Sequence, residues 1–295
     1  MKCQCYGYDY AVIGGDMRQV YLAEELASGA GRVCCYGICA DAASVFCAGS
    51  LSEFCSLAPC LIGPIPFCKN GDVLNQSVLE QPLPIKLLLS NLKSGQSLFA
   101  GCISRDFRLA ARKKGVRVFD LMENPQLSYF NTLATAEGAV CEAIGRSPMN
   151  LHQSSCAVLG YGKCGCTLSH YLKGMFCHIS VVTNSEEERA QASLIADKTI
   201  ALKEFGACAG EFDFVFNTIP ALVVSKKLLA KMKRSVTIID IASSPGGVDF
   251  EAAKELGISA VLCPGLPGKY APLSSARAIK NIVEKNFERS VGKCL

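Results

Sequence analysis

The chain has 295 residues, half of them apolar, a formal net charge of +4, eighteen cysteines and only three histidines. That length supports two domains of ordinary size, each with its own core. The diluted charge, with Lys/Arg clusters at Arg112 to Lys114 and Lys226 to Arg234 that lack interleaved aromatics, argues against a nucleic-acid partner. Pro, Gly or charge interrupts every apolar run before the 18 or so residues of a spanning helix, so no membrane association is expected.

Met1 to Tyr6 shows none of the basic, apolar and small-residue succession of a signal peptide, and a cytoplasmic protein is expected. Without an export signal, the cysteines read as small buried hydrophobes rather than a disulfide scaffold. No Cys-x-x-Cys occurs and the Cys3/Cys5 and Cys164/Cys166 pairs are too close, so no metal site is expected.

The first third alternates short apolar runs with helical patterns, the signature of a parallel sheet covered by helices. Strands are predicted at Tyr10 to Ile13, Arg32 to Tyr36, Ala58 to Gly63, Ser97 to Ile103 and Val116 to Asp120, with a helix over Met17 to Ser28. A helix from Asn131 to Ile144, with Ala139, Val140, Ala143 and Ile144 on a buried face, is expected to run between two domains beside a cleft. Further strands follow at Ala157 to Leu159, Cys177 to Thr183, Phe212 to Asn217, Ser235 to Ile241 and Ala260 to Leu262. Helices fall at Thr167 to Gly174, Ser225 to Lys233, Phe250 to Leu256 and, last, Ser274 to Phe287. The fold class is α/β, with two doubly wound parallel-sheet domains, the second a Rossmann-type domain. The expected bounds are 1–126 for a flavodoxin- or Rossmann-like substrate domain and 127–150 for the inter-domain helix. Residues 151–272 make the dinucleotide domain and 273–295 the C-terminal helix.

The most specific motif is Gly160-Tyr161-Gly162-Lys163-Cys164-Gly165, lying between an apolar strand and a helix. Gly160 allows the tight turn, Gly162 lets backbone approach a pyrophosphate, and Gly165 lets helix and strand pack closely. The helix N-terminus adds free N–H groups and a positive dipole end. Beyond the next strand no acid stands where an NAD ribose would require one. Thr183, Asn184 and Ser185, with Arg189 one turn on, suit a 2′-phosphate, so NADP is the expected cofactor and NAD the alternative. Glu186, Glu187 and Glu188 read as the acidic first turn of a solvated helix, and would oppose a phosphate if turned inward.

In open α/β sheets ligands bind beyond the carboxyl ends of strands. After the first strand come Asp16, a helix cap, and Arg18 and Gln19; an arginine in a first turn opposes the dipole, which suggests an anionic ligand or a salt bridge. Gly63-Pro64-Ile65-Pro66 is a rigid strand end. In the second domain, Asn217-Thr218-Ile219-Pro220 and Ile241-Ala242, with Ser243 beyond, pass the nicotinamide end of a dinucleotide. The loop with Gly268 and Lys269 supplies a cation. His152, His170 and His178 read as structural; Glu137, Asp16 or Lys269 is better placed as a general acid or base.

These loops together resemble the A subunit of dipicolinate synthase, a sporulation enzyme family of spore-forming Firmicutes. The resemblance rests on Ala-Val-Ile-Gly-Gly-Asp-Met-Arg-Gln at 11–19, Asn131 with Thr135-Ala-Glu-Gly138, and Val-Leu-Gly-Tyr-Gly-Lys-Cys-Gly at 158–165. It extends through Phe-Asn-Thr-Ile-Pro at 216–220, Ile-Asp-Ile-Ala-Ser-Ser-Pro-Gly-Gly-Val-Asp-Phe at 239–250 and Pro-Gly-Leu-Pro-Gly at 264–268. It departs after Pro272, where Leu273-Ser274-Ser275 replaces the family's Lys-Thr. The resemblance implies oxidation of 4-hydroxy-tetrahydrodipicolinate, or its dehydrated form, to dipicolinate in the mother cell, with NADP on this chain. It implies a flavoprotein-like B subunit that holds any FMN, and a possible homo-oligomer. Arg18, Gln19, Asn131, Thr135, Ser243 and Gly268 are then expected at the dicarboxylate. A nucleotide-binding scaffold whose partner performs the redox step, or a shikimate- or 2-hydroxy-acid-dehydrogenase-like enzyme, are the alternatives; the Lys–Asp or His–Glu pair usual in the latter is not found.

Overall fold

A computed structural model describes residues 6–29, 31–40, 43–69 and 71–291, with side chains to Phe287; the Cys3/Cys5 pair lies outside these. The chain forms two compact units, residues 1–130 with 271–295, and residues 131–270.

The first unit begins β1 (Tyr10–Ile13), α1 (Met17–Ser28), β2 (Val33–Tyr36), β3 (Val45–Cys47), α2 (Leu51–Leu57) and β4 (Cys60–Ile62). A hairpin of β5 (Cys68–Lys69) and β6 (Val73–Leu74) precedes α3 (Ile85–Asn91), β7 (Ser97–Ala100), α4 (Arg105–Lys113) and β8 (Arg117–Asp120). Six strands form one parallel sheet in the order β3-β2-β1-β4-β7-β8. Because both faces are covered, the central strands are apolar throughout; Ala11, Val12, Ile13, Cys60, Leu61 and Ile62 are inaccessible to solvent. The order reverses between β1 and β4, where ligands of such sheets bind.

Helix α5 (Pro125–Arg146) spans the division between units. It starts six residues before the predicted Asn131 because Pro125 fits a first helical turn and Asn124 accepts the Leu127 amide. The second unit continues with β9 (Ser155–Leu159), α6 (Lys163–Gly174), β10 (His178–Val182), α7 (Glu186–Ala192), β11 (Lys198–Ile200), α8 (Phe205–Cys208) and β12 (Phe214–Asn217). It closes with α9 (Lys226–Leu229), β13 (Thr237–Asp240), α10 (Phe250–Glu255), β14 (Ser259–Leu262) and α11 (Leu266–Tyr270). The parallel order β11-β10-β9-β12-β13-β14 repeats that of the first unit, with its reversal between β9 and β12.

The two parallel sheets with flanking helices match the expected α/β class. The final helix, α12 (Pro272–Val291), packs on α1: Ala276, Ile279, Ile282 and Val283 recur at helical spacing and join Leu22, Ala23 and Leu26 in one core. Each large apolar side chain so buried contributes about 1.5–3 kcal/mol, and Arg277 and Lys280 fix the register on the Glu25 carboxylate and carbonyl.

Candidate functional site

At the carboxyl end of β9 the three glycines do different things. Gly160 has φ +87°, and a Cβ there would lie 2.5 Å from Thr218 Oγ1; one on Gly165 would lie 2.2 Å from the Gly160 carbonyl oxygen. Gly162 has an ordinary φ of −66°, yet nothing lies within 4 Å of where its Cβ would be. The first and third glycines serve packing, and the second keeps space open. Gly162 caps α6 without a side-chain hydrogen bond, so no side-chain oxygen competes for the first-turn amides. Burial, helped by Cys166, pushes the neighbouring Tyr161 phenol up to about 12.

At the end of β10 the buried Thr183 organises its surroundings. Its hydroxyl donates to Glu188 Oε2 at 2.5 Å, and its carbonyl accepts from Arg189 NH1 at 2.7 Å. Ser185 caps α7 through the Glu188 amide, and Asn184 is exposed. Arg189 is thus tethered over the end of β10, its other terminal nitrogen 3.9 Å from Glu186. Glu188, expected to face solvent with its neighbours, turns back to the strand.

At the ends of β12 and β13 Asn217 and Asp240 are both fully buried. Asn217 Nδ2 donates to Asp240 Oδ1 at 2.9 Å and to the Ile219 carbonyl, and its Oδ1 accepts the Ile219 amide. Asp240 also accepts the amides of Ala242 and Gly247. One carboxylate therefore shapes both the Asn217-to-Pro220 turn and the Ser243-to-Val248 loop. Thr218 donates to the Leu159 carbonyl beside the glycine turn, while Pro220 and Ser243 are exposed and Ile241 half-buried. Sequence reasoning missed Asp240, although an acid ending an otherwise apolar strand was its visible signal.

Lys269, on α11, donates to Glu142 Oε1 at 2.5 Å, and Tyr270 OH reaches the same oxygen at 2.8 Å. Arg146 pairs with Glu142 Oε2. The Lys269 hydrogen bond foremost, with those of Tyr270 and Arg146 against the opposing effect of burial, pulls the Glu142 carboxyl down to about 2. Bonding to Glu142 raises the Lys269 ammonium above its ordinary value. Glu142, a second residue missed, ties α5 to α11 from within a run of buried alanines, and Gly138 admits Leu266 and Tyr270 against α5. Gly268 lies within α11, Thr135 bonds back to the Asn131 carbonyl, and Asn131 is half-buried. Glu137 is exposed and accepts the Tyr171 hydroxyl at 3.0 Å, eight residues and so about 12 Å along α6 from its start.

In the first unit Asp16 caps α1, accepting Arg18 N, with Gln19 completing a capping box. Arg18 is buried, bidentate to Asp16 at 2.9 and 2.8 Å, and also donates to the Ile65 carbonyl. Burial works to raise the Asp16 carboxyl, but the Arg18 hydrogen bonds and charge hold it below its ordinary value. The dipole-opposed arginine thus has its own carboxylate. Gln19 spans from the Asp16 amide to the Gly63 carbonyl across the strand reversal.

Among the described residues no group of three or more His, Cys, Asp or Glu could hold a metal ion, and no helix is long and apolar enough to cross a membrane. Of fifteen described cysteines, seven are buried and Cys39, Cys47, Cys102 and Cys141 are exposed, so core filling accounts for about half of them.

Residues 9–122 match the family model for the N-terminal domain of the dipicolinate synthase A subunit. The matched segment holds the first unit's parallel sheet, from β1 to β8. The resemblance of the motifs is borne out along the rest of the chain too. The dipicolinate synthase A subunit of Bacillus subtilis (strain 168) is 28% identical over 298 aligned positions, covering 95% of each chain. The crystal structure of the corresponding Bacillus halodurans protein, likewise a dipicolinate synthase A subunit, superposes with a TM-score of 0.81 at 24% identity, covering 96% of this chain and 98% of that one. A transhydrogenase from Sinorhizobium meliloti shares the fold at a TM-score of 0.66 and 16% identity, over 95% of both chains.

Proposed function

We propose that this chain is a nicotinamide-linked oxidoreductase, working as the A subunit of a dipicolinate synthase and taking NADP at the glycine turn of its second unit. The observation that carries the reading is Gly162: a helix start without a side-chain cap, beside open space, at the point where the strand order reverses. The turn fits a pyrophosphate, since the first-turn amides of α6 offer donors and the missing Cβ leaves room. Arg189, tethered at the end of β10, is the residue assigned to a 2′-phosphate, against the nearby carboxylates of Glu186 and Glu188. When bound, the nicotinamide supplies a two-electron hydride acceptor.

The substrate implied by the relatives' names is a cyclic pyridine-2,6-dicarboxylate precursor. Loss of a hydride and a proton from its dihydropyridine form makes the ring aromatic, so the protein mainly positions and grips. Asp240 and Asn217 hold the two loops that would border the nicotinamide. Lys269 is assigned the grip on a carboxylate rather than the proton, because Glu142 favours its ammonium form. Arg18, also expected at the dicarboxylate, has its charge met by Asp16 within the first unit. Glu137, whose carboxylate is exposed, is assigned the proton. By extension from the relatives' designation as the A component of the synthase, a B subunit carries any flavin.

Anaerobic incubation of the chain with 4-hydroxy-tetrahydrodipicolinate and NADP or NAD, with and without a B subunit, tests the reading. Dipicolinate and reduced nicotinamide forming in equal amounts, faster with NADP, is expected. Absence of reduced nicotinamide in every mixture overturns it.

A further inference from the structure

Cys35 and Cys47 are register partners on β2 and β3, at the edge of the first sheet, and their sulfurs stand 3.1 Å apart. Alternate residues on a strand share a face. Cys35 and Val45 lie in the same core, which puts Cys47, two residues beyond Val45, on that face at its outer end. Cys35 is buried and Cys47 exposed. A thiol reachable from solvent therefore touches one that is sequestered, the arrangement of an attacking and a resolving cysteine. The buried Cys156 and Cys177, which also interact, offer no such entry point.

We propose that Cys35 and Cys47 form a reversible thiol–disulfide modification site that takes a low-molecular-weight disulfide as its oxidant. Cys47 gives up its proton and attacks one sulfur of the small disulfide, forming a mixed disulfide and releasing one small thiol. Cys35 gives up its proton and attacks Cys47 Sγ, breaking the mixed bond and releasing the second. Two protein thiols are oxidised, one small disulfide is reduced to two thiols, and the chain loses two hydrogen atoms. The link would fasten the edge strand one residue before Tyr36, whose carbonyl accepts the amide of Gly14 in the turn after β1. It does not depend on the reaction proposed above.

The test equilibrates the reduced full chain with oxidised and reduced glutathione at stepped ratios, followed by acid quench, digestion and mass spectrometry. The expected first product is a peptide pair joined through Cys35 and Cys47, two hydrogens lighter than the reduced pair and restored by dithiothreitol. Cys35→Ser should stop at a glutathione adduct on Cys47, and Cys47→Ser should abolish the link. A wild-type chain that keeps a glutathione adduct on Cys47, joins Cys47 to Cys39 instead, or leaves both thiols free at ratios where exposed Cys102 reacts, overturns the proposal. The wild-type link decides the matter even if a variant fails to fold.

Discussion

Replacing Gly162 with alanine separates the fold from the ligand at a single atom. The residue sits at φ −66° and ψ −170°, a backbone any residue adopts, and its added Cβ meets no protein atom within 4 Å. Alanine is a poorer N-cap than glycine, but it restricts the unfolded chain by about 0.4–1 kcal/mol. The two effects nearly cancel, so the unfolding free energy should stay within about 0.5 kcal/mol of wild type. A methyl group facing the open helix start would displace a pyrophosphate by more than a hydrogen bond tolerates. One bond to a charged group is worth about 1.5–3 kcal/mol, which corresponds to a roughly ten- to hundredfold weaker NADPH affinity. Calorimetric titration with NADPH and urea denaturation of the same sample read both numbers. Unchanged affinity in a normally stable variant would show that no dinucleotide lies over this turn. Gly165→Ala is the contrasting case: its Cβ falls 2.2 Å from the Gly160 carbonyl oxygen, so stability itself should drop by about 2 kcal/mol or more.

Three further outcomes follow from the same geometry. Arg189→Ala should weaken NADPH about tenfold or more while leaving NADH within about twofold, since only the 2′-phosphate requires the guanidinium; an equal loss for both would place Arg189 elsewhere. Asp240→Ala strands the buried Asn217 side-chain donor and the amides of Ala242 and Gly247, and at about 1–3 kcal/mol per unsatisfied group the denaturation midpoint should fall sharply, whereas a small change would mean that the loops re-form without it. Glu142 has a folded pKa of about 2 against an ordinary 4.5, so the unfolded chain binds the extra proton: its contribution is present above about pH 4.5 and is lost as pH falls toward 2. That drop corresponds to about 3 kcal/mol, cut to about 1–2 kcal/mol by solvent around the partly exposed Arg146 and Lys269. Glu142→Gln should therefore lower stability by that amount at pH 7 and flatten the acid limb of the stability curve, and an acid limb identical to wild type contradicts the assignment.

The sheets were legible because parallel strands buried on both faces are continuous apolar runs, as in Tyr10–Ile13 and Phe214–Asn217. The unpredicted β3 and β11 are three-residue edge strands, Val-Phe-Cys and Lys-Thr-Ile, too short and too mixed to show a period. Helix α9 ends at Leu229 rather than at the predicted Lys233, its C-cap Ala230 being followed by turns. Within the candidate site, the tight turn at Gly160 and the close helix–strand approach at Gly165 could be read from spacing, since both follow from the turn itself. The Glu142–Lys269 pair could not, because 127 positions separate the partners and a lone glutamate in a helix reads as solvated. Arg18 illustrates a different limit: its conflict with the helix dipole was visible, but only packing shows that Asp16 and the Ile65 carbonyl meet its charge.

The fate of the hydrogen removed from the substrate tests direct transfer on this chain most sharply. With 4-hydroxy-tetrahydrodipicolinate carrying deuterium on its saturated ring carbons, the chain plus NADP and a B subunit should yield NADPH with one deuterium, detected by mass spectrometry. Transfer through a partner's flavin would pass the hydrogen to a nitrogen that exchanges with water. Dipicolinate forming with unlabelled NADPH, or with none, would contradict direct hydride transfer on this chain.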